Sequence, residues 1–239
     1  MKKTIILSLF LFLQPLFFYC QQSKDESNYY IWFDELVGVE NTGLYLGTEY
    51  LINYRITEEN YSFFESPNFL LGTVNYNRQT YFNQEIKYNI YEDEVIIKLQ
   101  NNNGQTIMKL IKDKLDGFTI NNHVFINIQG ADEYDTEVSG FFEIIAKNSF
   151  FTLYKKHRKR KIKKLDKRII YYEYKDRKNQ YYLFYNKTYI NIKTKRDFSK
   201  IFPEFKKDLM DIKENIKSKS NQDILMISLS NRVFQLMSK

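Results

Sequence analysis

The chain has 239 residues, with 36 Lys or Arg against 29 Asp or Glu, two histidines and a single cysteine. That length suits one large domain, or a domain with an appendage, and buries enough surface to need no covalent staples. Cys20 alone excludes an internal disulfide and a thiolate zinc site, and no HExxH, Gly-x-Ser-x-Gly or Gly-rich phosphate loop is present, so no catalytic motif and no cofactor are expected.

Residues 1–20 read as a signal peptide. Lys2 and Lys3 form its charged start, and Ile5 to Tyr19 is an apolar run broken only by Ser8, Gln14 and Pro15. The run is short for a membrane span, which needs roughly twenty apolar residues. Ordinary cleavage near Cys20–Gln21 is expected. Lipidation at Cys20 is the alternative, disfavoured because Tyr19 is large where a small residue is wanted. No second long apolar run follows, so no transmembrane segment is expected in the mature chain. The expected address is export: periplasmic, outer-membrane-associated or secreted.

Ser23 to Asn28 is a polar lead-in, and Tyr29 to Val39 is the first segment able to join a core. From Leu44 the pattern becomes strand, turn, strand. Strands are predicted at 44–54, 70–76, 80–91, 95–100, 106–111, 118–120 and 124–128, rich in β-branched and aromatic residues and separated by Asn and Gly turns. Asn103-Gly104 is the strongest hairpin signal, because a type I′ turn needs positive φ at both positions. After an acidic loop at 132–137, further strands are predicted at 140–147, 150–156, 169–174, 181–185 and 188–192.

Near Asp197 the period changes. Phe198, Ile201, Phe205, Leu209, Ile212 and Ile216 step by three or four, predicting a short turn at 197–202 and a helix over about 203–217. Ser220, as an N-cap, precedes a last helical stripe of Leu225, Leu229, Val233 and Leu236. The fold class is therefore mainly β (α+β): a curved antiparallel sheet or partly closed β-barrel of ten to twelve strands over 21–196, packed by C-terminal α-helices over 197–239.

Three sets of residues carry a resemblance: Phe63-Phe64-Glu65-Ser66; Gly72 to Tyr76 with Ile86 to Tyr91; and Ile192 to Asp197 with Phe202 to Lys207. Over most of residues 60–217 the chain resembles a family of uncharacterised secreted, β-rich proteins of Gram-negative bacteria with a C-terminal helical tail. It departs by having Asn89 at a carboxylate position and Arg78 where a turn glycine is common. The resemblance implies an exported β protein and no activity.

Residues 155–168 hold ten cations against one acid: Lys155, Lys156, Arg158, Lys159, Arg160, Lys161, Lys163, Lys164, Lys167 and Arg168, with Asp166. This local charge of +9 exceeds the +7 of the entire chain. The run is a candidate polyanion-binding patch; the plainer reading is a solvated hairpin whose charges keep an edge from pairing with other chains. Export makes nucleic acid a poor partner, leaving an anionic surface, a glycan or an envelope protein.

His123 and His157 sit in no ligand spacing, and the carboxylate pairs Asp93/Glu94 and Glu133/Asp135 read as turn residues rather than acid and base. Asp132 to Glu137 offers oxygens to calcium but lacks the EF-hand glycine and spacing. The 20 Tyr and 20 Phe fit strand composition better than a ring-lined ligand surface. The expected function is a non-enzymatic envelope or secreted interaction protein. The alternative is a carrier of a lipid or other apolar ligand in a curved-sheet cavity, which needs an empty interior. An enzyme of unfamiliar design comes third.

Overall fold

A computed structural model describes residues 22–51, 59–101, 104–129, 138–212 and 219–239. The expected signal peptide, Cys20 and the 132–137 loop lie outside the described residues. Helix α1 (Gln22–Val37) leads through two 3-10 turns into a very short strand, β1 (Thr48–Glu49). Then come β2 (Leu70–Tyr76), β3 (Gln79–Asn89), β4 (Glu94–Asn101), β5 (Gly104–Lys109), β6 (Leu115–Ile120) and β7 (His123–Ile128). They are followed by β8 (Gly140–Lys147), β9 (Thr152–Lys156), β10 (Lys159–Asp166), β11 (Ile169–Asp176), β12 (Gln180–Tyr185) and β13 (Thr188–Ile192). The tail is α2 (Lys195–Ile201), a 3-10 turn at Pro203–Phe205, α3 (Lys206–Met210) and α4 (Lys219–Met237).

Eleven strands form one antiparallel sheet in the order β1-β5-β4-β3-β2-β6-β7-β8-β9-β12-β13, while β10 and β11 pair only with each other as a ribbon. β9 and β12 are direct neighbours, Lys156 lying opposite Gln180, so the ribbon leaves and rejoins the sheet between them. Turn chemistry sets the registers. Asn77-Arg78, Asn121-Asn122, Lys167-Arg168 and Asn186-Lys187 all have positive φ at both positions, the type I′ geometry of two-residue hairpins. Asn tolerates that region through local hydrogen bonding.

The sheet is strongly curled. Crossing from β5 to β6 passes four inter-strand spacings, an arc of about 19 Å. The chain from Lys109 to Leu115 reaches about 21 Å only when fully extended, and Lys112–Lys114 is coiled into a 3-10 turn. The chord must therefore be shorter than the arc. Ring contacts across the curl agree: Tyr88 of β3 lies 5.2 Å from Phe125 of β7 and 5.9 Å from Phe141 of β8.

One sheet face carries two apolar cores. The first gathers Val74, Tyr88, Phe118, Phe125 and Phe141 inside the curl. The second packs Leu153, Leu183 and Ile192 beneath Phe198, Leu225 and Leu229 of the tail helices. Phe142, Tyr154 and Tyr182 form a smaller cluster on the opposite face.

The mainly β class and the helices packed on the sheet are as read from the sequence; closure is corrected. The sheet has eleven strands among the described residues, within the ten to twelve expected, the β10–β11 ribbon bringing the total to thirteen, and the sheet is not a closed barrel. β1 offers only two residues for pairing, and at the other end the tail helices fill the face over β9, β12 and β13. Residues 22–37 form a helix instead of a polar lead-in and core segment, with Tyr29, Trp32, Phe33 and Leu36 exposed along one stripe. The strand expected over 44–54 shrinks to β1 after a 3-10 turn at Gly43–Leu46, with 52–58 outside the described residues. The turn expected at 197–202 is helix α2, capped by a Thr194–Asp197 capping box. The helix expected over 203–217 is the Pro203 turn and the short α3, 213–218 lying outside the described residues. Ser220 lies within α4 rather than capping it.

Candidate functional site

The ten cations of residues 155–168 part by strand: Lys155 and Lys156 close β9, and the others lie at the root or along the β10–β11 ribbon. Lys155 turns inward, buried. Cross-strand pairing sets Phe118, Phe125, Glu143, Lys155, Tyr181 and Ile192 in a row across the sheet. Glu143 and Lys155 thus form a polar strip between the two apolar cores.

Glu143, its side chain 7% exposed, is the centre of that strip. Its Oε1 lies 2.5 Å from His123 Nδ1 and its Oε2 2.6 Å from His157 Nε2, while Lys155 Nζ is 3.6 Å away. Burial raises the Glu143 pKa, but the two imidazole hydrogen bonds and the charges of His157 and Lys155 outweigh it and hold it at about 2. His157 is driven downward by burial, against the pull of Glu143. His123 also meets Glu65, Nε2 to Oε1 at 3.1 Å. The Phe64 ring meets both imidazoles edge-on, at 5.1 and 5.0 Å.

Lys155 carries the network to the tail. Its Nζ donates to Asp223 Oδ2 at 2.7 Å, and the Tyr181 hydroxyl donates to Asp223 Oδ1 at 2.5 Å. Burial, then the Asp223 carboxylate, pushes the Tyr181 phenol far upward, so it stays a donor. Asp223 stands near the start of α4, and this pair ties that helix to β9 and β12.

A second network holds the β3–β4 turn against β8 and β9. Asp93 accepts from Lys112 at 2.6 Å and Tyr88 at 2.7 Å, lies 3.0 Å from Lys156, and faces the Phe141 N–H. Burial raises the Asp93 pKa, yet the Lys156 charge and the Lys112 and Tyr88 contacts bring it below its ordinary value. Asp93, read from the sequence as a turn residue, is both a turn residue with positive φ and an ion-pair centre.

The other cations belong to the ribbon. Arg158 sits at its root, where its carbonyl accepts the Arg177 N–H. Lys159 donates to the Tyr61 carbonyl at 2.8 Å, and Lys161 lies 4.3 Å over the Tyr172 ring. Arg160 is exposed on the outer shank. From Lys163 to Ile170 every residue is exposed: Lys163, Lys164, Leu165, Asp166, Lys167, Arg168, Ile169, Ile170.

The residues invisible to motif reading were Glu65, Glu143 and Asp223. The available signal was a lone carboxylate inside the apolar strand GFFEIIAK and a lysine inside TLYKK, since charges in buried strands must find each other. Both histidines, unremarkable in spacing, converge on that carboxylate. Among the described residues no group of three His, Cys, Asp or Glu is arranged to hold a metal ion, and no helix is long and apolar enough to cross a membrane.

Two clefts lie away from the Glu143 network. One, of about 610 Å³, runs between α1 and β3 and is lined by Asp34, Glu35, Glu40 and Phe82; the other, of about 320 Å³, lies at the ribbon root beside Tyr61, Lys159 and Tyr174. The fold and site together define a curled-sheet scaffold presenting a basic ribbon. No family model, no curated protein and no solved structure matches the chain.

Proposed function

We propose that the chain is an exported, non-enzymatic interaction protein that contacts an anionic surface through the distal half of the β10–β11 ribbon. The observation that carries this reading is the run from Lys163 to Ile170, eight successive exposed residues with four cations against Asp166. A ribbon that served only to guard a sheet edge would lie along that edge, whereas β10 and β11 pair only with each other. The carrier alternative needs an empty interior, and the curl is occupied by the chain's own rings, Phe118 and Phe125 stacking at 4.7 Å. The ion networks use their groups on one another, which favours structural work over chemistry. Export rests on the leader reading of residues 1–20.

The test is retention of the mature chain on immobilised heparin across a salt gradient, against a variant carrying Lys163→Gln, Lys164→Gln, Lys167→Gln and Arg168→Gln. These exposed positions can change without touching the Glu143 network. The variant is expected to elute at clearly lower salt, as screened multivalent attraction requires; equal elution overturns the ribbon as the contact surface.

A further inference from the structure

We infer that the ribbon tip docks on a bilayer rich in acidic phospholipid, inserting its aliphatic side chains among the headgroups while its cations meet the phosphates. The inference rests on the reading of the ribbon as the contact surface and goes further by naming the partner. A soluble polyanion needs charge alone, but the tip is not charge alone. Leu165 is 71% exposed, Ile169 50% and Ile170 47%, flanked by Lys163 and Lys164 on the two rungs behind and by Lys167 and Arg168 in the turn ahead. Leu165 stands directly opposite Ile170, and Ile169 opposite Asp166, so both faces of the ribbon carry an aliphatic side chain at its end.

The dimensions agree with this occupant. The exposed stretch from Lys163 to the turn spans about 10 Å at ~3.3 Å per residue, comparable with the ~5–10 Å to which interfacial elements bury their apolar faces. Opposite Lys164 and Lys163, Tyr171 and Tyr172 are partly covered, and behind them Ile162 is partly covered and Tyr174 buried. Elements that combine cations with exposed apolar side chains bind acidic bilayers by adding electrostatic attraction to apolar burial, each part weak alone. A tip with two cations in its turn, three aliphatic side chains on its last two rungs and two more lysines behind them is complementary to that surface in both charge and apolar character. Asp166 sits at the turn, its charge outnumbered four to one by its neighbours.

The experiment is co-sedimentation of the mature chain with vesicles of phosphatidylcholine alone or mixed equally with phosphatidylglycerol, beside heparin retention of the same samples. The wild type is expected to sediment with the mixed vesicles and not with phosphatidylcholine. Leu165→Ser/Ile170→Ser, two exposed positions whose change leaves the cores intact, is expected to bind the mixed vesicles at least about tenfold more weakly while keeping its heparin elution. Sedimentation of that variant equal to wild type overturns the insertion. Heparin retention without vesicle binding by the wild type overturns the bilayer and leaves the ribbon reading standing. Loss of both overturns the two together.

Discussion

Replacing Glu143 with Gln tests the buried strip directly, because it removes the charge and nearly keeps the shape. Glu143 titrates at about 2 in the fold, against 4.5 for the ordinary side chain. A folded pKa below the unfolded one means stability that is fully present above about 4.5 and lost as the pH falls through about 2. That shift corresponds to about 3 kcal/mol at pH 7 and about 1 kcal/mol at pH 3. Glu143→Gln mimics the protonated state, and at a given pH it should be less stable than wild type by roughly these amounts. For a chain of this size the pH 7 loss corresponds to a Tm lowered by about 6–12 °C. Urea denaturation followed by circular dichroism at pH 7 and pH 3 reads both values. A variant within about 0.5 kcal/mol of wild type at pH 7, the scatter of ordinary surface changes, would refute the reasoning. So would a gap of the same size at both pH values.

Gly140 has φ near +97°, and a Cβ there would overlap the Asp93 carboxylate; Gly140→Ala should therefore cost about 3 kcal/mol or more, from strain and from breaking the Asp93 pairs, as read by chemical denaturation. Tyr181→Phe leaves the ring in the second core but removes the donor to Asp223. It should cost about 1.5–3 kcal/mol, as for a hydrogen bond to a charged group, and hydrogen exchange should quicken first in α4. Lys167 and Arg168 occupy a type I′ turn with φ of 42° and 75°, so Lys167→Asn/Arg168→Gly should stabilise the ribbon by about 1 kcal/mol, seen as slower amide exchange from 160 to 174. Unchanged exchange there would mean that the turn carries no strain.

Local pattern made some elements legible and left others hidden. Strands 70–76, 140–147 and 188–192 coincide with their predicted bounds, because β-branched and aromatic runs bounded by Asn turns leave little choice. Helix α1 escaped because Tyr29, Tyr30, Trp32 and Phe33 favour strands, although the apolar positions 29, 32, 33 and 36 step as a helix does. The basic run was visible as charge, but its division was not. Lys155 and Lys156 belong to a strand buried by neighbours far away in the chain, while Lys163 to Arg168 reach solvent. The Glu143 network was the least legible part, since Glu65, His123, His157 and Asp223 meet only once a multi-strand register is set.

Because Lys156 and Gln180 occupy the same rung of the sheet, the ribbon begins and ends at neighbouring points, as a side branch does on a stem. Its length is therefore decoupled from the trunk. Adding or removing paired residues two at a time in β10 and β11 would lengthen or shorten the branch while each side chain keeps its face, with His157 left in place at the root. Reach becomes a quantity that this architecture can vary without renegotiating its core.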